Sequence, residues 1–137
     1  KIRAAIAKFS SGEIKFVINT HWHFDHVGGN ENLGETGSAI VAHENVRHRM
    51  STEQMMAFFK RKVPPSPKTA LPVITFSRDL KFHLNNEKIP IFHVKNAHTD
   101  GDAVVFFKKA NVIHTGDVYF SGIYPFIDSS SKGSVDG

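Results

Sequence analysis

Thr20-His21-Trp22-His23-Phe24-Asp25-His26 puts four metal-capable side chains, His21, His23, Asp25 and His26, into six residues. Directly upstream, Ile14 to Asn19 is a short, mostly apolar, β-branched run that reads as a buried strand. The four donors therefore occupy the loop leaving the C-terminal end of a strand, where rigid scaffolds place their chemistry. In an extended chain residues i and i+2 project to one side, so His21 and His23 can grip one ion together. Asp25 and His26 lie just beyond and can face a second ion. Imidazole nitrogen and carboxylate oxygen suit a borderline ion such as zinc. The competing reading is a polar turn that happens to be rich in histidine. Four donors in so short a span, straight after a buried strand, argue against it.

Outward from this loop the chain alternates helical and strand-like patterns. Lys1 to Ser11 carries Ile2, Ile6 and Phe9 at helical spacing and reads as an amphipathic helix ended by Gly12. Asn30 is placed to cap a short helical turn. Ser38 to Ala42 reads as a second buried strand and Glu44 to Met50 as a helix. Ser51 with Gln54 three residues on is a capping-box pattern, predicting a further helix from Thr52 to about Lys62. Its Met55, Met56, Phe58 and Phe59 would form core or the wall of a substrate pocket. Pro64, Pro65, Pro67 and Pro72 stiffen the next stretch into an extended loop within one domain spanning residues 1–137. Strands are then expected at Val73 to Phe76, Leu80 to Leu84, Ile89 to Lys95, Ala103 to Lys108 and Asn111 to Thr115. Asn85-Asn86 is a hairpin signal between two of them. The Gly-, Ser- and Asp-rich stretch from Ser121 gives no clear pattern.

Two later segments supply what the first motif lacks. Ala97-His98-Thr99-Asp100-Gly101-Asp102 falls between two strands, and Thr115-Gly116-Asp117 ends one. Alone, a histidine at a strand end is more often structural. Together with the first motif, His98 offers one ion a third nitrogen, and Asp117 offers a carboxylate able to bridge two ions. His-x-His-x-Asp-His, a histidine about seventy residues on, and a Gly-Asp after a strand, in that order, resemble the metallo-β-lactamase-fold hydrolase superfamily. The resemblance implies an α/β chain (α+β by another name), an αββα sandwich with the metals at the edge of two sheets. It implies a first zinc on His21, His23 and His98, a second on Asp25 and His26, and Asp117 between them. His23-Phe24-Asp25-His26-Val27-Gly28-Gly29-Asn30 resembles the lactamase-containing branch rather than the flavodiiron branch, which favours zinc over iron.

Two departures from the family pattern set further expectations. The family's opening strands are not found ahead of the first helix, and no histidine follows His114 to complete the second zinc site. The chain, which begins at Lys1, thus resembles the middle of a family member, incomplete at both ends. Its second metal site would keep two terminal ligands and the bridge. Ala103 to Phe107 and Ile14 to Ile18, apolar on both faces, would then be left uncovered, which predicts a homo-oligomer.

Zinc lowers the pKa of bound water to about 7, which supplies hydroxide at neutral pH. With one or two zinc ions the expected reaction is hydrolysis of an ester, amide or lactone-type carbonyl in a small-molecule substrate. Asp25 is the expected catalytic carboxylate, orienting the nucleophile and relaying a proton. The alternatives are a metal-binding chain without activity and a phosphodiesterase or nuclease on the same scaffold. Tyr119, Phe120, Tyr124 and Phe126 lean towards an apolar substrate, or else are ordinary core. His43 and His114 are candidates to support ligands from behind, whereas His48, His83 and His93 read as structural.

Composition narrows the classes further. The 137 residues are 40% hydrophobic and 22% charged, an ordinary globular balance. No apolar run approaches the roughly 20 residues of a membrane span. The net charge of +4 is dispersed, and Arg47-His48-Arg49 and Lys60-Arg61-Lys62 read as solvated faces, so nucleic acid is not the expected partner. Without cysteine there is neither a disulfide framework nor a thiolate ligand, and cytoplasm and periplasm both remain open.

Overall fold

The computed structural model describes all 137 residues. Helix α1 (Ile2–Ile6) is followed by strand β1 (Phe16–Ile18), helices α2 (Phe24–Val27) and α3 (Asn30–Gly34), strand β2 (Ala39–His43) and helix α4 (Glu44–Met50). Strands β3 (Gln54–Met56), β4 (Arg61–Val63), β5 (Ile74–Phe76), β6 (Asp79–Leu84), β7 (Glu87–His93), β8 (Ala103–Phe107) and β9 (Val112–His114) complete the order. Short 3-10 turns lie at Lys68–Ala70, Gly116–Val118 and Ser129–Ser131.

The first sheet is parallel, in the order β1-β2-β5, as its helical crossovers require. The second is an antiparallel meander, β6-β7-β8-β9. Asn85 and Asn86 both adopt left-handed φ, +53° and +57°, and close the β6–β7 hairpin as that dipeptide promises. The sheets face each other. Val41 and Phe76 of the first meet Ile89, Ile91, Ala103 and Val105 of the second in one buried cluster. A second cluster lies on the opposite face of the first sheet, where Ala42 meets Val46 and Met50 of α4 together with Trp22, Met56, Ala70 and Leu71. Helix, sheet and sheet thus form successive layers, and the histidine loop emerges where the two sheets meet: Asn19 N–H donates to Val41 of β2, and Thr20 accepts from Ala103 N–H of β8.

Several expectations change. Thr52 to Lys62 is not a helix; β3 and β4 form an antiparallel hairpin turning at Ala57 to Lys60. Tertiary packing outweighs local propensity here, because alternation buries Met56 beside Trp22 while Met55 points outward. Ser51 ends α4, and Gln54 accepts from Arg49 and donates to Thr52 instead of closing a capping box. Helix α1 spans only Ile2–Ile6 and buries no residue. Asn30 does not cap; its buried amide exchanges hydrogen bonds with Asn19 at 2.8 and 3.0 Å and donates to the Ala70 carbonyl. Ala103, Val104 and Val105 are buried within one chain, so β8 exposes no broad apolar face there; Phe92, Val112 and Ile113 are the exposed apolar residues of the second sheet.

Candidate metal centre

The ligand-capable residues of the two groups reach the centre from four parts of the fold. His21 and His23 come from the loop after β1, His26 from α2, His98 from the β7–β8 loop, and Asp117 from the turn after β9. Two glycines allow the close approaches. Gly101 passes so near α4 that a Cβ would meet Val46 at 2.9 Å, and Gly116, at φ +56°, would press a Cβ against Thr20 at 2.7 Å.

His21, His23 and His98 are 1%, 5% and 2% exposed. Their rings stand edge-on to one another in every pair, with centroids 4.6–4.8 Å apart and interplanar angles of 87–88°. The outward nitrogens of two of them are tied back. His23 Nε2 lies 2.9 Å from Asp128 Oδ2, and His98 Nδ1 lies 2.5 Å from the Phe126 carbonyl. Carboxylates and carbonyls only accept, so those outer nitrogens carry the protons and the inner ones present lone pairs. His23 Nδ1 and His98 Nε2 then face each other at 2.9 Å. Between them points His21 Nε2, a buried atom with no hydrogen-bond partner. Three converging lone pairs repel unless a cation sits among them, and neutral nitrogen donors held from behind are what a zinc-type ion takes. Burial, and then the neighbouring His26, His23 and His98, pull the His21 pKa down to about 2, which keeps it in the neutral form a ligand needs.

The second group is more open. His21, His26 and Asp117 also bring ligand atoms within 4.8 Å of one another. Asp117 Oδ1 lies 3.2 Å from His26 Nε2 and Oδ2 lies 3.9 Å from His98 Nε2, so this carboxylate stands between the two groups. The side chains of His26 and Asp117 are 24% and 25% exposed. Asp25 belongs to neither group; its carboxylate, 58% exposed, is 3.4 Å from His26 Nε2.

Over residues 2–136 the sequence matches the metallo-β-lactamase superfamily. The chain belongs to that family. Among curated proteins it is 28% identical over 109 residues to a hydroxyacylglutathione hydrolase of Pelagibacter ubique (strain HTCC1062), covering 79% of this chain and 37% of the relative. Among solved structures it resembles metallo-β-lactamase IND-7 (TM-score 0.67, 18% identity, 88% of this chain and 49% of the other). It also resembles TTHA1623 in a di-iron-bound form (TM-score 0.68, 19% identity, 90% and 60%). At those identities the structures establish the fold. The chain spans little more than a third of the curated relative's length.

Within this superfamily chain, sequence reasoning assigned no role to three carboxylates around the centre. Asp128 is buried in the Ser-rich stretch that gave no pattern; its carboxylate accepts from His23, Ser130 and Ser131. Burial would raise its pKa, but those hydrogen bonds outweigh burial and hold it below the usual carboxylate range. Asp100, two residues after His98, forms a buried two-pronged ion pair with Arg49 of α4 at 2.7 and 2.8 Å. Asp102 closes the same turn through Thr99, and burial raises its pKa. The only sequence signal for Asp128 is a lone carboxylate after the apolar run Pro125-Phe126-Ile127. Neither His43 nor His114 backs a ligand directly. His43 caps α4 through Asn45 N–H and stacks on His93 at 3.8 Å, and His114 accepts from Gly116 N–H. Tyr119 and Tyr124 are exposed rather than core, and Phe126 packs edge-on against His98 and Phe58.

Proposed function

We propose that this chain carries the metal centre of a zinc-dependent hydrolase acting on an acyl carbonyl in a small molecule. The observation that carries the reading is the buried, unpartnered Nε2 of His21 aimed at the inner nitrogens of His23 and His98. In it, His21, His23 and His98 hold the principal ion, His26 and Asp117 offer a second position, and Asp117 stands between the two. A bound divalent ion supplies Lewis acidity and a water acidic enough to attack at neutral pH. The chain's own residues do the rest. Asp25, mostly exposed beside His26, orients the attacking water and takes its proton. Asp117 balances the charge of the open group.

One observation favours an acyl substrate and a second bears on its size. The curated relative is named for a hydroxyacyl compound. In addition, a cavity of about 170 Å3 borders His98 and Asp117, walled by Val118, Pro125, Ile127 and Val135. A cavity of roughly 150 Å3 accommodates benzene, so this space suits a small apolar group. Elemental analysis after loading with zinc, followed by hydrolysis of thioesters, esters, lactones and a phosphodiester with and without the metal, tests the reading. Zinc-dependent acyl hydrolysis is expected. A chain that retains no metal, or one that prefers the phosphodiester, would refute it.

A further inference from the structure

We propose that the segment Phe126 to Ser131 is a strap that sets the tautomers of two ligands at once, with Asp128 the positioning residue for His23. The proposal rests on the reading of His21, His23 and His98 as metal ligands.

The strap touches the back of both rings. The Phe126 carbonyl accepts a hydrogen bond from Nδ1–H of His98, and two residues on, Asp128 Oδ2 accepts one from Nε2–H of His23. The two histidines must use opposite nitrogens towards the centre, Nδ1 for His23 and Nε2 for His98. A free histidine side chain favours Nε2–H only modestly, so His98 needs an acceptor at Nδ1 to reverse that preference and His23 needs one at Nε2 to hold it. The strap is itself anchored. Asp128 N–H donates to the His98 carbonyl at 3.0 Å, and Asp100 N–H donates to the Ser131 carbonyl at 2.9 Å. Ser131 Oγ donates to Asp128 Oδ2 and accepts from Trp22 Nε1 at 2.9 Å, which ties the strap to the residue between His21 and His23. Asp128 Oδ1 is filled by the N–H and hydroxyl of Ser130. Every lone pair of Asp128 that points inward is therefore assigned, and only a carboxylate satisfies all the donors. An asparagine would turn its NH2 either on Ser130 N–H or on His23 Nε2. In the second case the proton of His23 moves to Nδ1, the nitrogen that has to bind.

Nitrogen-15 NMR of the histidine rings in the chelator-treated chain reads the tautomers without any metal or activity. The wild-type chain is expected to show His23 protonated at Nε2 and His98 at Nδ1. In Asp128→Asn the Nδ1-protonated form of His23 should appear and zinc affinity should fall about 10–100-fold, the usual cost of losing a partner behind a ligand. Ser131→Ala, which keeps the carboxylate, should leave the tautomer unchanged and cost less affinity than Asp128→Asn. A wild-type chain whose neutral His23 carries its single proton on Nδ1 overturns the proposal even if Asp128→Asn does not fold. Asp128→Asn with wild-type tautomer and affinity, or Ser131→Ala with an equal loss, also overturns it. If the wild-type tautomers are as expected but the chain binds no zinc, the functional reading fails and the role of the strap stands.

Discussion

The two groups of the candidate metal centre are built differently. His21, His23 and His98 are almost completely buried, and the outer nitrogens of His23 and His98 are held by Asp128 and the Phe126 carbonyl. His26 and Asp117, with Asp25 beside them, are more exposed, and His26 Nε2 lies within 3.4 Å of both carboxylates. A buried, oriented nitrogen donates without paying for reorganisation, whereas an exposed side chain must first be ordered. The buried half should therefore set affinity, and the open half should meet substrate.

The largest effect should come from breaking the buried half. His98→Ala removes a ligand rather than its support, so the loss of zinc affinity should exceed the roughly 10–100-fold typical of outer partners, and activity should vanish with it. Isothermal titration alongside turnover checks this; tight zinc binding by the variant would show that the buried triad is not the site. Asp25→Asn probes the open half. Turnover should fall about 10²–10⁴-fold, the range for a lost general base, with zinc content unchanged. Loss of metal instead would make Asp25 a ligand. Asp117→Asn sharpens the comparison further. Any weaker second equivalent of metal should disappear, while the tight one changes at most about fivefold, the worth of an exposed ionic contact of ~1 kcal/mol. Titration with one and two equivalents would show it, and an equal loss of both would erase the distinction between the halves.

The smallest effect lies away from the metal. Burial, and then the stacked His93, lower the pKa of His43. Below about pH 6.5 the unfolded chain takes a proton at this imidazole that the folded chain refuses. Unfolding then gains ground as pH falls, and stability rises again as pH climbs through that range. His43→Gln should flatten this slope in chemical denaturation between pH 5 and about 7. An unchanged slope would assign the pH dependence to other groups.

What could be read in advance tracks how local each cause is. The histidine loop, the β6–β7 hairpin with Asn85-Asn86 and the strands either side of His98 were legible because their signals lie within a few residues. The segment 52–62 was misread for the complementary reason. Its helix-like cap and apolar spacing are local, but Met56 is drawn into a cluster with Trp22, far upstream, and Val46 of α4, and that burial decides for a hairpin. Asn30 looks like a cap in sequence because nothing local signals Asn19, its partner across the loop.

Sequence alone determined the candidate donors and their order, because a strand followed by His21, His23, Asp25 and His26 restricts the chemistry before any folding is known. It also determined that His98 and Asp117 follow strands, since periodicity and glycine mark strand ends. Only the tertiary structure decided which nitrogen of each histidine faces inward. That choice depends on Asp128 and the Phe126 carbonyl, which approach His23 and His98 from 105 and 28 residues away, and no local pattern carries so long a contact.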